Sequence, residues 1–209
     1  LIHCDINKKN CLVSNPIQNE THQNILLFNF SRTLTVENIK ISYLRELLNY
    51  EYNDIYYQSL ELFCLQELMP LINSDKFVLN ESTSETIARK FISRNPIFGM
   101  LTEEFTRDYY ELIHDYLKSH DRLSQEQLIN KLLNTCGTWD IHSISILYME
   151  IINEMFDGDF IKNDIIILFV QLLLKNINPY MRQNIPSILK ELEEIHSIKD
   201  QYDNIMNLL

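Results

Sequence analysis

The sequence predicts a mainly α domain with a short β-hairpin near its N-terminus. Three observations point that way. Of 209 residues only 3 are Gly and 5 are Pro, so obligatory turns are few and long helices are favoured over a sandwich of short strands. Beyond Arg32 the apolar residues recur at helical spacing. Before it, the apolar runs Cys11-Leu12-Val13 and Ile25-Leu26-Leu27-Phe28 flank the polar, turn-rich residues 14–24, as two strands joined by a loose loop would. Hydrophobic residues make up 45% and charged residues 22%, the balance of a globular protein, and the length suits one good-sized domain.

The elements follow in order. Residues 1–10 show neither a helical nor a strand period. Residues 54–72 place Ile55, Leu62, Phe63, Leu65, Leu68 and Met69 at helical spacing and stop near Pro70. The Tyr-rich start of this stretch reads as aromatic packing of the helix onto the domain. Residues 73–84 are polar and read as a loop. Residues 103–117 align Phe105, Tyr109, Leu112, Ile113 and Tyr116 on one face. Ser124-Gln125-Glu126-Gln127 is a capping box that starts a helix to about residue 134, where Cys136-Gly137 breaks it. Asp140 then opens an apolar helix to about Phe156, its carboxylate suited to the helix N-terminus. Residues 164–175 are apolar nearly all round, the mark of a helix buried on most sides. Asn178-Pro179 turns the chain, and Pro186 sits in the first turn of a helix over residues 185–196.

Charge and composition narrow the partners. A formal net charge of −11 argues against nucleic acid, because phosphate backbones call for clustered Lys and Arg. Cys4, Cys11, Cys64 and Cys136 form no Cys-x-x-Cys pair and read as reduced thiols of an intracellular, cytoplasmic protein. His114, His120 and His142 lack ligand partners at metal-binding spacing. No signal peptide opens the chain, and the strongest apolar run, residues 165–174, is well short of the roughly 20 residues a membrane span needs. A chain opening on Leu1-Ile2-His3-Cys4-Asp5 without Met reads as cut from something longer.

The chemistry lies in the first ten residues. His3-Cys4-Asp5-Ile6-Asn7-Lys8-Lys9-Asn10 fits His-x-Asp-hydrophobic-x-x-x-Asn and resembles the catalytic loop of the protein kinase family. Phosphoryl transfer needs a carboxylate to orient the attacking hydroxyl and accept its proton, and an oxygen ligand to hold Mg²⁺ against the phosphates. Three further segments are similar to the family in the expected order. Phe28-Asn29-Phe30-Ser31 stands where the family has Asp-Phe-Gly, with Asn29 replacing the aspartate and Ser31 the glycine. The segment from Asp140 to Tyr148 looks like the start of the central kinase helix, and Asn178-Pro179-Tyr180-Met181-Arg182 is similar to Asp-Pro-x-x-Arg of the last kinase subdomain.

The resemblance implies a protein-kinase-like C-terminal lobe that moves the γ-phosphate of ATP, with Mg²⁺, to Ser/Thr hydroxyls of a protein substrate. By it Asp5 is the base, Asn10 binds the nucleotide's metal, and Asn29 is a weaker neutral ligand. The family's serine/threonine kinases carry a lysine where Asn7 stands; Lys8 is the nearby candidate for the transferring phosphate, against the commoner role of a solvated lysine. His3 packs the loop, Asp140 accepts hydrogen bonds from the loop backbone, and Arg182 pairs with a glutamate ending the activation segment. Residues 1–31 then hold the loop, hairpin and degenerate Asp-Phe-Gly segment, and residues 140–209 the central and C-terminal helices. Residues 32–139 form a divergent activation segment with a helical insertion, in which no Ala-Pro-Glu signature is visible. The N-terminal lobe, with its Gly-rich loop and phosphate-binding lysine, is missing from this chain. Comparable drift occurs in kinases of large DNA viruses, which would place the protein in host cytoplasm or virion. Two other readings share the loop: small-molecule kinases of the aminoglycoside and choline kinase type, and a pseudokinase interaction module.

Overall fold

The computed structural model describes residues 1–13, 25–27, 29, 33–35, 41–48, 57–156 and 163–206. They form a mainly helical architecture with one small hairpin. Strand β1 (Cys11–Val13) pairs antiparallel with β2 (Ile25–Leu27) in the register Cys11 with Leu27, Leu12 with Leu26 and Val13 with Ile25. Helices α1 (Ile41–Leu48), α2 (Leu60–Leu68), α3 (Glu81–Arg94), α4 (Glu103–Lys118), α5 (Gln125–Leu133), α6 (Trp139–Phe156), α7 (Asp164–Ile177) and α8 (Ile185–Met206) follow. The hairpin loop at residues 14–24, the tyrosines before Tyr57 and the turn at residues 157–162 lie outside the described residues.

At the centre is α2, where Leu60, Glu61, Leu62, Phe63, Cys64, Leu65 and Leu68 are all buried. A helix apolar on nearly every side has no solvent face to offer and becomes the core. Burying each of its large apolar side chains contributes about 1.5–3 kcal/mol. Ser59 starts it, accepting a hydrogen bond from Leu62 N at 3.3 Å, so this helix begins later than the apolar spacing over residues 54–72 suggested. Helices α3 and α5 pack on α2, α4 packs on α3, and α7 lies between α6 and α8. An aromatic chain joins three of these, with ring centroids 5.5 Å apart for Phe63–Phe91, 6.4 Å for Phe91–Phe98 and 4.9 Å for Phe98–Tyr109.

The polar stretch read as a loop over residues 73–84 ends inside α3, which is a correction. Its start is a capping box made by Asn80 and Thr83 rather than by the commoner Glu or Gln at the third position. Ile87, Ala88 and Phe91 supply the buried stripe, and Asn95 before Pro96 stops the helix. The capping box at Ser124 and Gln127 forms with both reciprocal hydrogen bonds. Helix α7 is less enclosed than its composition suggested, since Ile165 to Phe169 are only half-buried. Helix α8 runs ten residues past the expected end at residue 196.

Candidate active site

The opening loop is fixed at several points before its side chains come into play. Ile2 bridges to Leu34, with Ile2 N donating to Leu34 O at 2.9 Å and Leu34 N donating back at 2.8 Å. His3 N and Cys4 N then donate to the two carboxylate oxygens of Asp140, at 2.7 and 2.9 Å. Asp140 belongs to the first turn of α6, so one buried helix holds the loop from below. Cys4 lies at φ 59°, a left-handed conformation that costs a non-glycine residue roughly 1–2 kcal/mol. The paired hydrogen bonds from His3 N and from Cys4's own N hold the backbone entering that conformation, and the next residue, Asp5, is less buried than Cys4. His3, Cys4 and Ile6 are buried around it, while Asp5 is half-buried.

The Asp5 carboxylate is gripped by two amides. Asn7 Nδ2 donates to Asp5 Oδ1 at 2.8 Å, and Asn10 Nδ2 donates to Asp5 Oδ2 at 3.0 Å and to Asp5 O at 2.9 Å. Both asparagines are buried. A 3₁₀ turn over Lys8–Asn10 sets their spacing, and Asn7 caps it by accepting from Lys9 N at 2.8 Å. Across the hairpin, Asn29 Nδ2 donates to Asn10 Oδ1 at 3.2 Å. Asn29 also has positive φ, 64°, which asparagine tolerates better than most residues. Asp5, Asn10 and Asn29 therefore gather at one place. Phe28, Phe30 and Ser31 lie outside the described residues.

Lys8 points elsewhere. Its ammonium lies 2.5 Å from Glu154 Oε1 and 3.3 Å from Glu150 Oε2, both on α6. Burial pulls its pKa down, and the hydrogen bonds and charges of Glu154 and Glu150 outweigh that, leaving it above the ordinary lysine value. Tyr57 OH donates to the same Glu150 carboxylate at 2.5 Å, and Ser143 Oγ donates to Tyr57 O at 2.7 Å. Burial, reinforced by the hydrogen bond to Glu150, pushes the Tyr57 phenol well above its usual pKa. The cluster ties the loop and the segment before α2 to the same face of α6.

Below the site is a buried ion pair. Arg182 Nη1 donates to Glu61 Oε2 at 3.1 Å, with the two side chains 3% and 0% exposed. Arg182 also donates to Asn176 O at 3.1 Å and to Thr138 Oγ1 at 3.3 Å. Tyr116 OH, from α4, donates to Glu61 Oε1 at 3.2 Å. Glu61 falls within residues 32–139, in Ser59-Leu60-Glu61, where sequence reasoning found no partner for the arginine. Its burial marks it only once the fold is known: a carboxylate enclosed among Leu60, Leu62, Phe63 and Leu65 demands a buried cation.

Among the described residues no group of three His, Cys, Asp or Glu side chains could hold a metal ion. The Asp5 carboxylate oxygens accept from Asn7 and Asn10, and Asn10 Oδ1 accepts from Asn29 Nδ2. A cleft of about 710 Å³ between α3 and α4, lined in part by Arg89, Phe98, Arg107 and Tyr110, includes none of the loop residues. Compared with family models, curated proteins and solved structures, the chain finds no match.

Proposed function

We propose that the chain is the catalytic C-terminal lobe of a protein-kinase-type phosphotransferase acting on Ser/Thr hydroxyls of a protein substrate. One observation carries the reading: Asp140 accepts both His3 N and Cys4 N, and the loop so held presents an Asp5 carboxylate clamped by Asn10. The resemblance to kinases assigned Asp140 this same relation to the loop backbone, and made Asp5 the base and Asn10 a metal ligand of that loop. The Arg182–Glu61 pair adds support, since the family closes its activation segment with such an ion pair.

In the reaction the hydroxyl oxygen of the acceptor attacks the γ-phosphorus of ATP and the bond to the bridging β,γ oxygen breaks. ADP departs, and the hydroxyl proton passes to the Asp5 carboxylate. Asn10 fixes the carboxylate's orientation through Nδ2, and its Oδ1 faces Asn29. Asn10 Oδ1, once released from Asn29 Nδ2, is a hard oxygen that would hold Mg²⁺ with the nucleotide phosphates, Asn29 weakly by turning its amide, and the ion would supply neutralisation of phosphate charge. Lys8 serves as a strut to α6 rather than a phosphate contact.

The test is transfer of labelled phosphate from ATP to protein acceptors by the complete protein and by Asp5→Ala. A general base contributes roughly 10²- to 10⁴-fold, and the variant should lose at least that. Unchanged transfer sinks the assignment. A pseudokinase is favoured by one observation, the neutral Asn29 amide directed at Asn10 where a carboxylate would serve a metal better. Thermal stability separates the two, because nucleotide at about 100 times its Kd stabilises by roughly 2.7 kcal/mol. No shift with ATP and Mg²⁺ or Mn²⁺ favours the interaction module.

A further inference from the structure

We propose that Asn7 is a positioning residue for phosphotransfer: its amide sets the plane of the Asp5 carboxylate at a position where a lysine would supply charge instead. The proposal rests on the reading of Asp5 as the base.

The geometry gives Asn7 two separate tasks. Its side-chain oxygen caps the 3₁₀ turn by accepting from Lys9 N at 2.8 Å. Its side-chain nitrogen donates to Asp5 Oδ1 at 2.8 Å and more distantly to Asp5 O at 3.3 Å. The residue is 7% exposed, so the amide is committed to these partners rather than shared with bulk water. With Asn10 Nδ2 on Oδ2, each carboxylate oxygen receives one amide N–H. Rotation of the carboxylate about its Cβ–Cγ bond would break both hydrogen bonds, whereas a carboxylate held at one oxygen can swing. A base must lie within hydrogen-bond reach of the proton it takes, and small misplacements cost rate steeply.

The neighbouring cation offers no substitute. Lys8 Nζ is drawn to Glu150 and Glu154, so the loop spends its nearest lysine on α6. Asn7 therefore orients the carboxylate without contributing charge.

Asn7→Asp separates orientation from capping. Aspartate caps a turn as well as asparagine, so Lys9 N keeps its acceptor, but the donor to Asp5 is lost and a second carboxylate stands beside it. In the complete protein kcat should fall roughly ten- to hundred-fold with KM for ATP nearly unchanged. With hydrogen exchange at Lys9 and Asn10 unchanged, a fall in kcat without a rise in KM marks lost orientation rather than a lost fold. Should Asn7→Asp unfold the turn, seen as faster hydrogen exchange at Lys9 and Asn10, Asn7→Ser keeps a capping oxygen without charge and carries the same expectation for kcat. Unaltered kcat, with Asp5→Ala inactive, overturns the role given to Asn7 and leaves the kinase reading standing. Full activity in Asp5→Ala removes the kinase reading and this proposal together.

Discussion

Replacing Asp140 with alanine tests the link between the loop and the helical core. The substitution removes the acceptor of two backbone hydrogen bonds, from His3 N at 2.7 Å and Cys4 N at 2.9 Å. Hydrogen bonds to a charged group contribute about 1.5–3 kcal/mol each. Asp140 is half-buried, so water can replace part of what is lost, and the lower end of the range applies to both. That gives about 3 kcal/mol of loop anchoring. The left-handed Cys4, at φ 59°, then loses the partners that hold it and relaxes toward an ordinary conformation. A 3 kcal/mol loss corresponds to roughly a hundred-fold faster opening of the loop relative to the core. Amide hydrogen exchange followed by NMR reads it directly, as that acceleration at His3 and Cys4 with little change in α2. Asp140→Asn keeps one acceptor oxygen and should show about half the free-energy loss. Wild-type exchange at His3 and Cys4 in Asp140→Ala would refute the reasoning, since the two hydrogen bonds would then not be what holds the loop.

Glu61→Gln leaves Arg182 charged and buried without its partner, and should cost about 3–5 kcal/mol in urea denaturation. The double variant Glu61→Leu with Arg182→Met should recover most of that, whereas equal losses in single and double variants would contradict the pairing. His142 is completely buried, and burial, aided by the nearby Arg182 charge, holds its pKa well below the ordinary histidine value. Its unfolded form gains a proton below about pH 6.5 while the folded form does not, so stability falls as pH drops through that region, by up to about 1.4 kcal/mol per pH unit. The difference between wild type and His142→Asn isolates this slope from the carboxylates, and identical pH dependence in the two would exclude His142 as its source.

Legibility in the sequence depended on whether a residue's role was local. Helix α4 was plain because Tyr109, Ile113 and Tyr116 recur at helical spacing, and α5 because Ser124 and Gln127 are a complete capping box. Helix α3 was hidden by a capping box built from Asn80 and Thr83, residues that loops also use. The gathering of Asp5, Asn10 and Asn29 was legible because the loop and hairpin that join them span few residues. The Glu61–Arg182 pair was only half legible, since 121 residues separate its members and nothing in the chain marks which glutamate Arg182 selects. Lys8 illustrates the opposite limit. Its position in the loop suggests the phosphate, while its destination depends on Glu150 and Glu154, which only the packing of α6 brings near.

Residues 32–139 read in sequence as a divergent activation segment carrying a helical insertion, and an insertion is commonly imagined as an appendage. Its contacts argue otherwise. Tyr116 of α4 places its hydroxyl on Glu61, whose other oxygen takes Arg182, and Tyr109 of the same helix donates to Ile177 O at 2.8 Å at the end of α7. Burial pushes both phenols well above their usual pKa, so they stay protonated and act as donors at neutral pH. A buried carboxylate facing one guanidinium still has lone pairs to satisfy, and leaving them unmet costs more than the pair gains. In this chain α4 meets that need, since Tyr116 OH donates to Glu61 Oε1. Helix α4 is therefore part of the condition under which Glu61 and Arg182 are buried, and a variant lacking it would lose a donor to that pair.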